Sequence, residues 1–215
     1  MSWITALAAT YDIVSENPEI MGKTELIFRD DKFVGEKRPL TPPYHTLCKA
    51  QIKVEINANG DFIKASAVEK EGQQYYIVPT TCDAETRTGT RAARMPFPLH
   101  EKYKNIVIDD PVGGYPNYYM KAMHEWISDE AFRALSANSR TPVEAVYRYL
   151  SQGRLAEDIQ HDLPDAKKDD FILFFVNELG EGANANLTEN KDVWDAWISY
   201  VRAHNKDDGH PWGLC

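Results

Sequence analysis

Residues 49–68 read KAQIKVEINANGDFIKASAV, and this stretch decides the predicted fold. Between residues 49 and 57 the even-numbered positions are apolar and the odd-numbered positions are polar, a period of two that is typical of a strand with one buried face. Asn59-Gly60 supplies a hairpin turn, and residues 62–68 return as a second strand. Residues 74–81 follow after another turn, so the sequence predicts an antiparallel meander of three strands.

The second half of the chain is predicted to be mostly helical. Apolar residues recur at helical spacing in residues 118–136, 155–163 and 188–204, and Thr141 is predicted to cap another helix that ends at Gly153. An apolar run, residues 171–179, is predicted to be a buried strand. Sheet-rich sequence followed by helix-rich sequence indicates the α+β class, with an antiparallel β-meander in the N-terminal half.

Shorter predictions complete the chain. Residues 2–14 are predicted to form an amphipathic helix, and residues 26–28 and 103–108 short strands. The Gly- and Pro-rich residues 111–116 divide the chain into two predicted domains. These are a sheet-rich domain, residues 1–116, and a mostly helical domain with one buried strand, residues 117–215, and whether the two pack as one unit stays open.

The charge of the chain is unevenly distributed. A net charge of −9 argues against a free-standing DNA-binding protein, because neutralising phosphates requires cations. Residues 155–215 contain 13 acidic and 5 basic residues, whereas residues 86–104 contain five Arg or Lys against the single carboxylate Glu101. A locally basic strip in an acidic protein suits one part of a larger assembly.

The cysteines, Cys48, Cys82 and Cys215, are widely spaced and contain no C-x-x-C pair. Neither a disulfide framework nor a four-thiolate zinc site is therefore predicted, and a reducing cytoplasm is expected. No apolar run approaches the roughly 20 residues of a membrane span, and the N-terminus lacks a signal-peptide pattern. The sequence predicts a cytoplasmic protein without membrane association and without a cofactor.

Residues 87–94, RTGTRAAR, form what we call the arginine loop. Guanidinium groups present planar forks of donors that suit phosphate, and Gly89 lets a backbone approach closely. Polar strand residues nearby could extend the contact. The predicted nucleic-acid-binding residues are Arg87, Thr88, Gly89, Arg91, Arg94, Lys49 and Lys53. Two alternatives stay open: the arginines pair with carboxylates elsewhere in the chain, and the lysines form a solvated sheet face.

No catalytic residue is predicted. The chain has no H-x-x-x-H or H-E-x-x-H spacing, and its Ser and Cys residues lack a nucleophile signature. One metal site stays open as an alternative, because four possible ligands could converge in space. A metal-dependent hydrolase built on them would use His45, Cys48, Cys82 and His100.

The chain resembles the N-terminal part of the large subunit of the type I-C CRISPR surveillance complex, Cascade. The matching segments are scattered over the whole chain in the family's order, and members of the family are several times longer. The segments are MSWITAL (1–7) with Tyr11, VEINANGDF (54–62), IVPTT (77–81), RTG (87–89), MPFPLHEK (95–102), PVEAVYRYL (142–150) and WGLC (212–215).

The resemblance implies a subunit at one end of an RNA-guided complex, beside the subunit that holds the 5′ handle of the crRNA. Such a subunit recognises the PAM in double-stranded target DNA and helps to open the duplex, while the guide reads the remaining sequence. It is not the nuclease, because a separate helicase–nuclease is recruited afterwards. The expected partners are target double-stranded DNA, crRNA-bound Cascade subunits and that helicase–nuclease. A protein–protein docking module without DNA contact remains the alternative, since the acidic C-terminal quarter could bind basic subunits.

Overall fold

The computed structural model describes residues 9–11, 13–14, 25–37, 40–68, 75–88, 94–107, 117–181 and 184–204. Antiparallel strands occupy the N-terminal half and helices most of the C-terminal half, which confirms the α+β class. Of the predicted N-terminal helix, residues 9–11 and 13–14 are helical and the rest lie outside the described residues.

The elements of the described residues are as follows. The strands are β1 (Glu25–Arg29), β2 (Lys32–Lys37), β3 (His45–Lys49), β4 (Ile52–Asn57), β5 (Phe62–Ala67), β6 (Tyr75–Pro79), β7 (Glu101–Lys102) and β8 (Phe171–Asn177). The helices are α1 (Cys82–Thr86), α2 (Tyr103–Ile106), α3 (Tyr118–Ser128), α4 (Glu130–Arg133), α5 (Ala137–Ser151), α6 (Leu155–Asp162) and α7 (Lys191–His204).

The main sheet has the strand order β5-β4-β8-β7. Strand β4 is antiparallel to β5 and parallel to β8, with Val54 opposite Phe174. Ile52, Val54 and Ile56 are buried on one face, as their alternation predicts. Strand β8 lies inside the sheet and is buried on both faces, which explains why its sequence is a continuous apolar run.

The predicted strand over residues 49–57 is two strands in two sheets. Strand β3 pairs with β6 in a separate two-stranded sheet, and β4 begins only at Ile52. At the break, the Gln51 side-chain oxygen accepts a hydrogen bond from the Phe171 amide at 2.8 Å. The predicted segments 49–57, 62–68 and 74–81 therefore contain antiparallel strands. However, β6 pairs with β3 and does not extend the β4–β5 hairpin. The even–odd alternation runs through the break, which is why the sequence suggested one strand.

Several predicted boundaries differ from the structure at capping residues. The helix predicted over 118–136 breaks at Asp129, whose side chain accepts from the Ala131 amide and begins α4. Helix α5 begins five residues before the predicted start, because its cap is Ser136, which accepts a hydrogen bond from the Ser139 amide, and not Thr141. The strand predicted at 103–108 is wrong, since residues 103–106 form the short helix α2.

The helices pack on one face of the main sheet and enclose the larger core. Trp126 is at the centre of an aromatic group in this core, 5.0 Å from Trp197 and 5.6 Å from Phe132 between ring centroids. Residues from both sides of the predicted boundary contribute, among them Val54 and Val146. The division into residues 1–116 and 117–215 stays a prediction, and residues 108–116 lie outside the described residues.

The β4–β5 turn packs directly against helix α5. Gly60 has a φ of +84°, and a Cβ there would lie 2.9 Å from the Ala145 carbonyl oxygen. Arg148 donates to the Asn59 carbonyl at 2.9 Å, and Gln152 donates to the Gly60 carbonyl at 3.0 Å. The glycine is therefore required twice, for its backbone conformation and for the close approach of the helix.

Replacing Gly60 with Ala should lower the free energy of unfolding by about 1–3 kcal/mol, because it adds both backbone strain and a contact with helix backbone. Urea denaturation monitored by tryptophan fluorescence measures this. Substitutions at two other glycines separate the cost of backbone strain from the cost of the close contact with α5. Gly153→Ala adds strain alone, since φ is +70° in open space, and Gly180→Ala meets nothing within 4 Å. Destabilisation should be largest at Gly60, smaller at Gly153 and smallest at Gly180. An equal cost at all three positions would contradict the close approach of α5 to Gly60.

Candidate nucleic-acid interface

A short helix precedes the arginine loop. Thr81 caps α1 by accepting a hydrogen bond from the Ala84 amide at 3.1 Å, and α1 ends at Thr86. Arg87 follows in an extended conformation. The arginine loop therefore begins at the end of a helical turn and not directly at the end of strand β6.

Arg87 forms a buried ion pair with Glu101. Its Nη2 donates to Glu101 Oε1 at 2.9 Å, and its Nη1 makes a short hydrogen bond to Oε2. Nη1 also donates to the Met95 carbonyl at 2.6 Å, and the guanidinium lies 4.1 Å from the centroid of the Phe97 ring. The Arg87 side chain is 8% exposed and that of Glu101 is 0% exposed. The guanidinium group therefore faces the protein.

Backbone amides complete the environment of the Glu101 carboxylate. Oε2 accepts from the Phe97 amide at 2.7 Å, and Oε1 accepts from the Lys102 amide at 2.6 Å. A buried carboxylate is tolerated when its charge is paired and its oxygens accept hydrogen bonds. Because Arg87 bonds to Met95, the Arg87–Glu101 pair also joins the two ends of the arginine loop. One alternative from the sequence was that the arginines pair with carboxylates, and Arg87 does pair with Glu101.

The other predicted nucleic-acid contacts lie in three places. Thr88 and Arg94 are exposed at the two ends of the arginine loop, while Gly89 and Arg91 lie outside the described residues. Lys49 is exposed on β3, with its ammonium group 4.9 Å from the centroid of the Tyr75 ring. Lys53 is on β4 in the other sheet, so the two lysines do not share one sheet face as the sequence suggested.

Lys53 belongs to a network on the polar face of the main sheet in which two lysines share one carboxylate, Glu55. Glu55 lies 2.9 Å from Lys53 and 3.4 Å from Lys64, and it accepts a hydrogen bond from Asn177 at 3.0 Å. Partial burial acts to raise the pKa of Glu55, but these donors outweigh it and hold the pKa below its usual value. The carboxylate therefore stays ionised and offsets the lysines.

Glu101 was missed as a partner for Arg87, although it is the single carboxylate in the basic strip.

The proposed metal ligands do not form a metal site in the described residues. No three His, Cys, Asp or Glu side chains there are arranged to hold a metal ion, and the Cys82 side chain lies outside the described part. His100 Nδ1 accepts from the Phe174 amide at 3.2 Å, so its proton is on Nε2 and neither nitrogen has a lone pair to offer. Burial raises the pKa of Cys48 to about 12, which disfavours the thiolate that binds metals.

His45 and His100 are both buried and neutral. Burial lowers the pKa of His45 to about 4, partly opposed by its hydrogen bond to the Pro43 carbonyl at 2.8 Å. Burial lowers the pKa of His100 to about 3, and the nearby His45 lowers it further. His45 contacts Trp194 edge-on, and His100 stacks on Phe174. The two imidazoles therefore act as packing groups at neutral pH.

Breaking the Arg87–Glu101 pair should cost about 3–5 kcal/mol of unfolding free energy, because the remaining charge would be buried without a partner. Arg87→Gln and Glu101→Gln test this in urea denaturation. The double variant should cost less than the sum of the single variants, since it buries no charge.

The exposed Lys121–Glu125 pair on α3 provides the control, as its atoms are 3.8 Å apart and both side chains are more than half exposed. Lys121→Gln should change stability by no more than about 0.5 kcal/mol. Additive costs at Arg87 and Glu101 would contradict a coupled buried pair.

Acid should destabilise the fold through the two buried histidines. Unfolded histidines bind protons below pH 6.5, whereas the folded ones stay neutral until about pH 4 and 3. Their contribution to stability is complete above pH 6.5. It should fall by up to about 1.4 kcal/mol per pH unit for each histidine as the pH drops below that value. Unfolding free energies measured by urea titration from neutral pH downward give the slope.

Replacing one buried histidine should reduce that slope. His45→Phe keeps a ring against Trp194 and removes one titrating group, so roughly half of the slope assigned to the pair should remain. Ile63, an exposed residue on β5, serves as the control. Ile63→Val removes no titrating group and should leave the acid slope as it is. An unchanged slope in His45→Phe would show that this histidine is not neutral in the folded protein.

Comparison with known proteins identifies the family. None of the curated proteins compared with the chain matches it. No helix in the described residues has the length and apolar character needed to cross a membrane. Residues 27–215 match the family model described as CRISPR-associated protein (Cas_Csd1). The chain therefore belongs to the CRISPR-associated Csd1 family of Cascade subunits.

Proposed function

We propose that the chain is a non-catalytic subunit of a type I-C Cascade complex that contacts double-stranded target DNA at the PAM and docks on neighbouring crRNA-binding subunits. Membership of the Csd1 family supports a role within Cascade. The observation that carries the DNA contact is the Arg87–Glu101 pair, which holds the base of the arginine loop in place. Base pairing with the guide would read the rest of the target, and a separate helicase–nuclease would cut it.

The joined ends of the arginine loop favour binding to a polyanion. Arg87 Nη1 lies 2.6 Å from the Met95 carbonyl, so the chain leaves and returns to the protein body at one place. A segment that is anchored before binding loses less conformational freedom when it binds. The loop sequence between the anchors contains Arg91 and Arg94 and no carboxylate. Guanidinium groups suit phosphate, so Arg91 and Arg94 are the residues that we expect to make the phosphate contacts.

The candidate residues take different roles in this proposal. Arg87 positions the loop, because its guanidinium group is held by Glu101 and Met95. Arg91 and Arg94 contact phosphates, and these contacts place the protein on the duplex without reading its sequence. Thr88 and Gly89 are small enough to approach base edges in a groove. Lys49 and Lys53 lie against aromatic rings and add cationic charge from two other strands, β3 and β4.

Arg91→Glu together with Arg94→Glu should weaken binding of the assembled complex to a PAM-containing duplex and flatten its dependence on salt. Each lost phosphate contact should reduce the slope of log affinity against log salt by about 0.9. Arg133→Glu is the control, since Arg133 is an exposed arginine on α4. Affinity and slope that match the wild type in the loop variant would remove the arginine loop from the proposal.

A docking role for the acidic C-terminal quarter can coexist with DNA contact. Helix α7 buries Val193, Trp194 and Trp197 in the core and exposes Asp192 and Asp195 on the outside. Partial burial raises the pKa of Asp195; the charge of Lys191 opposes this shift, and the charge of Asp192 adds to it. Carboxylates that repel one another favour a cationic partner, as a crRNA-coating subunit would provide. If the chain alone binds no duplex even at low salt, while the assembled complex does, the docking role is favoured.

A further inference from the structure

Lys102 and Lys104 meet at Asp169 at one end of the main sheet, and Lys167 and Lys168 are exposed in the segment that carries Asp169; we call these four lysines the lysine corner. Strand β7 and helix α2 carry the first two, and the turn between α6 and β8 carries the others. Two backbone hydrogen bonds tie the turn to α2. The Tyr103 amide donates to the Asp170 carbonyl at 2.8 Å, and the Lys104 amide donates to the Lys168 carbonyl at 2.9 Å.

Asp169 is the carboxylate at the centre of the lysine corner. Its Oδ1 lies 2.6 Å from the Lys104 ammonium and 3.6 Å from that of Lys102, and its side chain is 69% exposed. The hydrogen bond from Lys104 and the positive charge of that lysine lower the pKa of Asp169. Ion pairs this exposed contribute little to stability, because water screens them. Asp169 is therefore a weakly held counterion that another anion can replace.

The hydrogen bonds that hold the turn between α6 and β8 do not involve lysine ammonium groups. The Asp170 amide donates to the Lys167 carbonyl at 3.0 Å, and the Asp170 side chain accepts from the Lys167 amide at 2.7 Å. The Ala166 amide donates to the Leu163 carbonyl at 3.0 Å. None of these hydrogen bonds involves a lysine side chain, so the shape of the turn does not explain why lysines cluster here.

The lysine corner is continuous with the base of the arginine loop. The Lys102 amide donates to Glu101, the partner of Arg87. Lys102 also lies opposite Phe171 in the β7–β8 ladder, and Phe171 contacts Phe97 with ring centroids 6.1 Å apart. Phe97 in turn lies under the Arg87 guanidinium. One continuous set of contacts therefore connects the two cationic segments.

We propose that the lysine corner is a second phosphate-binding site, which grips the backbone of the DNA duplex held by the arginine loop, with Asp169 as the counterion that a phosphate displaces. The inference rests on the proposed function. Ammonium groups are point charges without the planar fork that reads base edges or carboxylates in two-point contacts. Their contact with DNA should therefore be independent of sequence. The Lys102–Lys104 contacts with Asp169 already show that the corner accepts an anionic oxygen.

Neutralising the counterion gives the sharpest test, because it changes affinity in the opposite direction from ordinary damage. Asp169→Asn should tighten binding of the assembled complex severalfold to a DNA duplex of arbitrary sequence at low salt. The matched control is Glu125→Gln, which removes the same charge from an exposed lysine pair on α3. It should leave affinity unchanged.

Removing the lysines should have the reverse effect. Lys104→Gln combined with Lys168→Gln should weaken duplex binding severalfold, and by the same factor for every sequence. The slope of log affinity against log salt should become shallower by about 2, roughly one for each phosphate contact. Lys121→Gln is the control, since Lys121 is an exposed lysine on α3.

The outcomes separate this inference from the proposed function. If Arg91 and Arg94 variants weaken binding while Asp169→Asn and the lysine variants match the wild type, the lysine corner is not a DNA site and the proposed function stands. If neither the Arg91 and Arg94 variants nor the Asp169 and lysine variants change binding, both proposals fail. If Asp169→Asn increases affinity for polyglutamate but not for DNA, the corner binds an acidic protein and the inference is overturned.

Discussion

The parallel pairing of β4 with β8 is the constraint on which the rest of the structure depends. It joins segments far apart in the chain, such as Glu55 and Asn177, which are 122 residues apart and share a hydrogen bond. Parallel strands require a crossover connection, and the helices between β4 and β8 cover one face of the sheet in making it. The opposite edge of β8 pairs with β7, and β7 places Glu101 where it meets Arg87. The site is thus built outward from one buried strand.

The Arg87–Glu101 pair shows that arginines close together in the sequence can have different roles, one structural and one in binding. Three arginines close in sequence suggest one function, but burial divides them. Arg87 contacts a carboxylate, a carbonyl and an aromatic ring, while Arg94 is exposed. A guanidinium held in this way orders its surroundings without serving a ligand directly. Cationic loops in an acidic protein therefore need a structural explanation for each arginine before a binding role is assigned.

Local patterns predicted most elements, and the errors came from ambiguous capping residues and from contacts between distant segments. The alternation of Ile52, Val54 and Ile56 and the apolar run of β8 predicted buried strands correctly. The partner of each strand was not predictable, because period-two alternation does not encode which strand lies beside it. Ser136 and Thr141 both have capping chemistry, so the start of α5 was ambiguous from sequence. The lysines at 167 and 168 were counted with the acidic quarter, since only the tertiary fold brings them beside Lys102.

The order of the main sheet has a consequence for synthesis on the ribosome. The β4–β5 hairpin emerges long before β8, so during translation one edge of β4 has exposed amides and carbonyls and an uncovered apolar face. Such edges pair with other chains and promote aggregation. Nascent chains that stall before residue 171 would be substrates for chaperones or proteases. Production of the subunit should therefore depend on how quickly the last strand is translated.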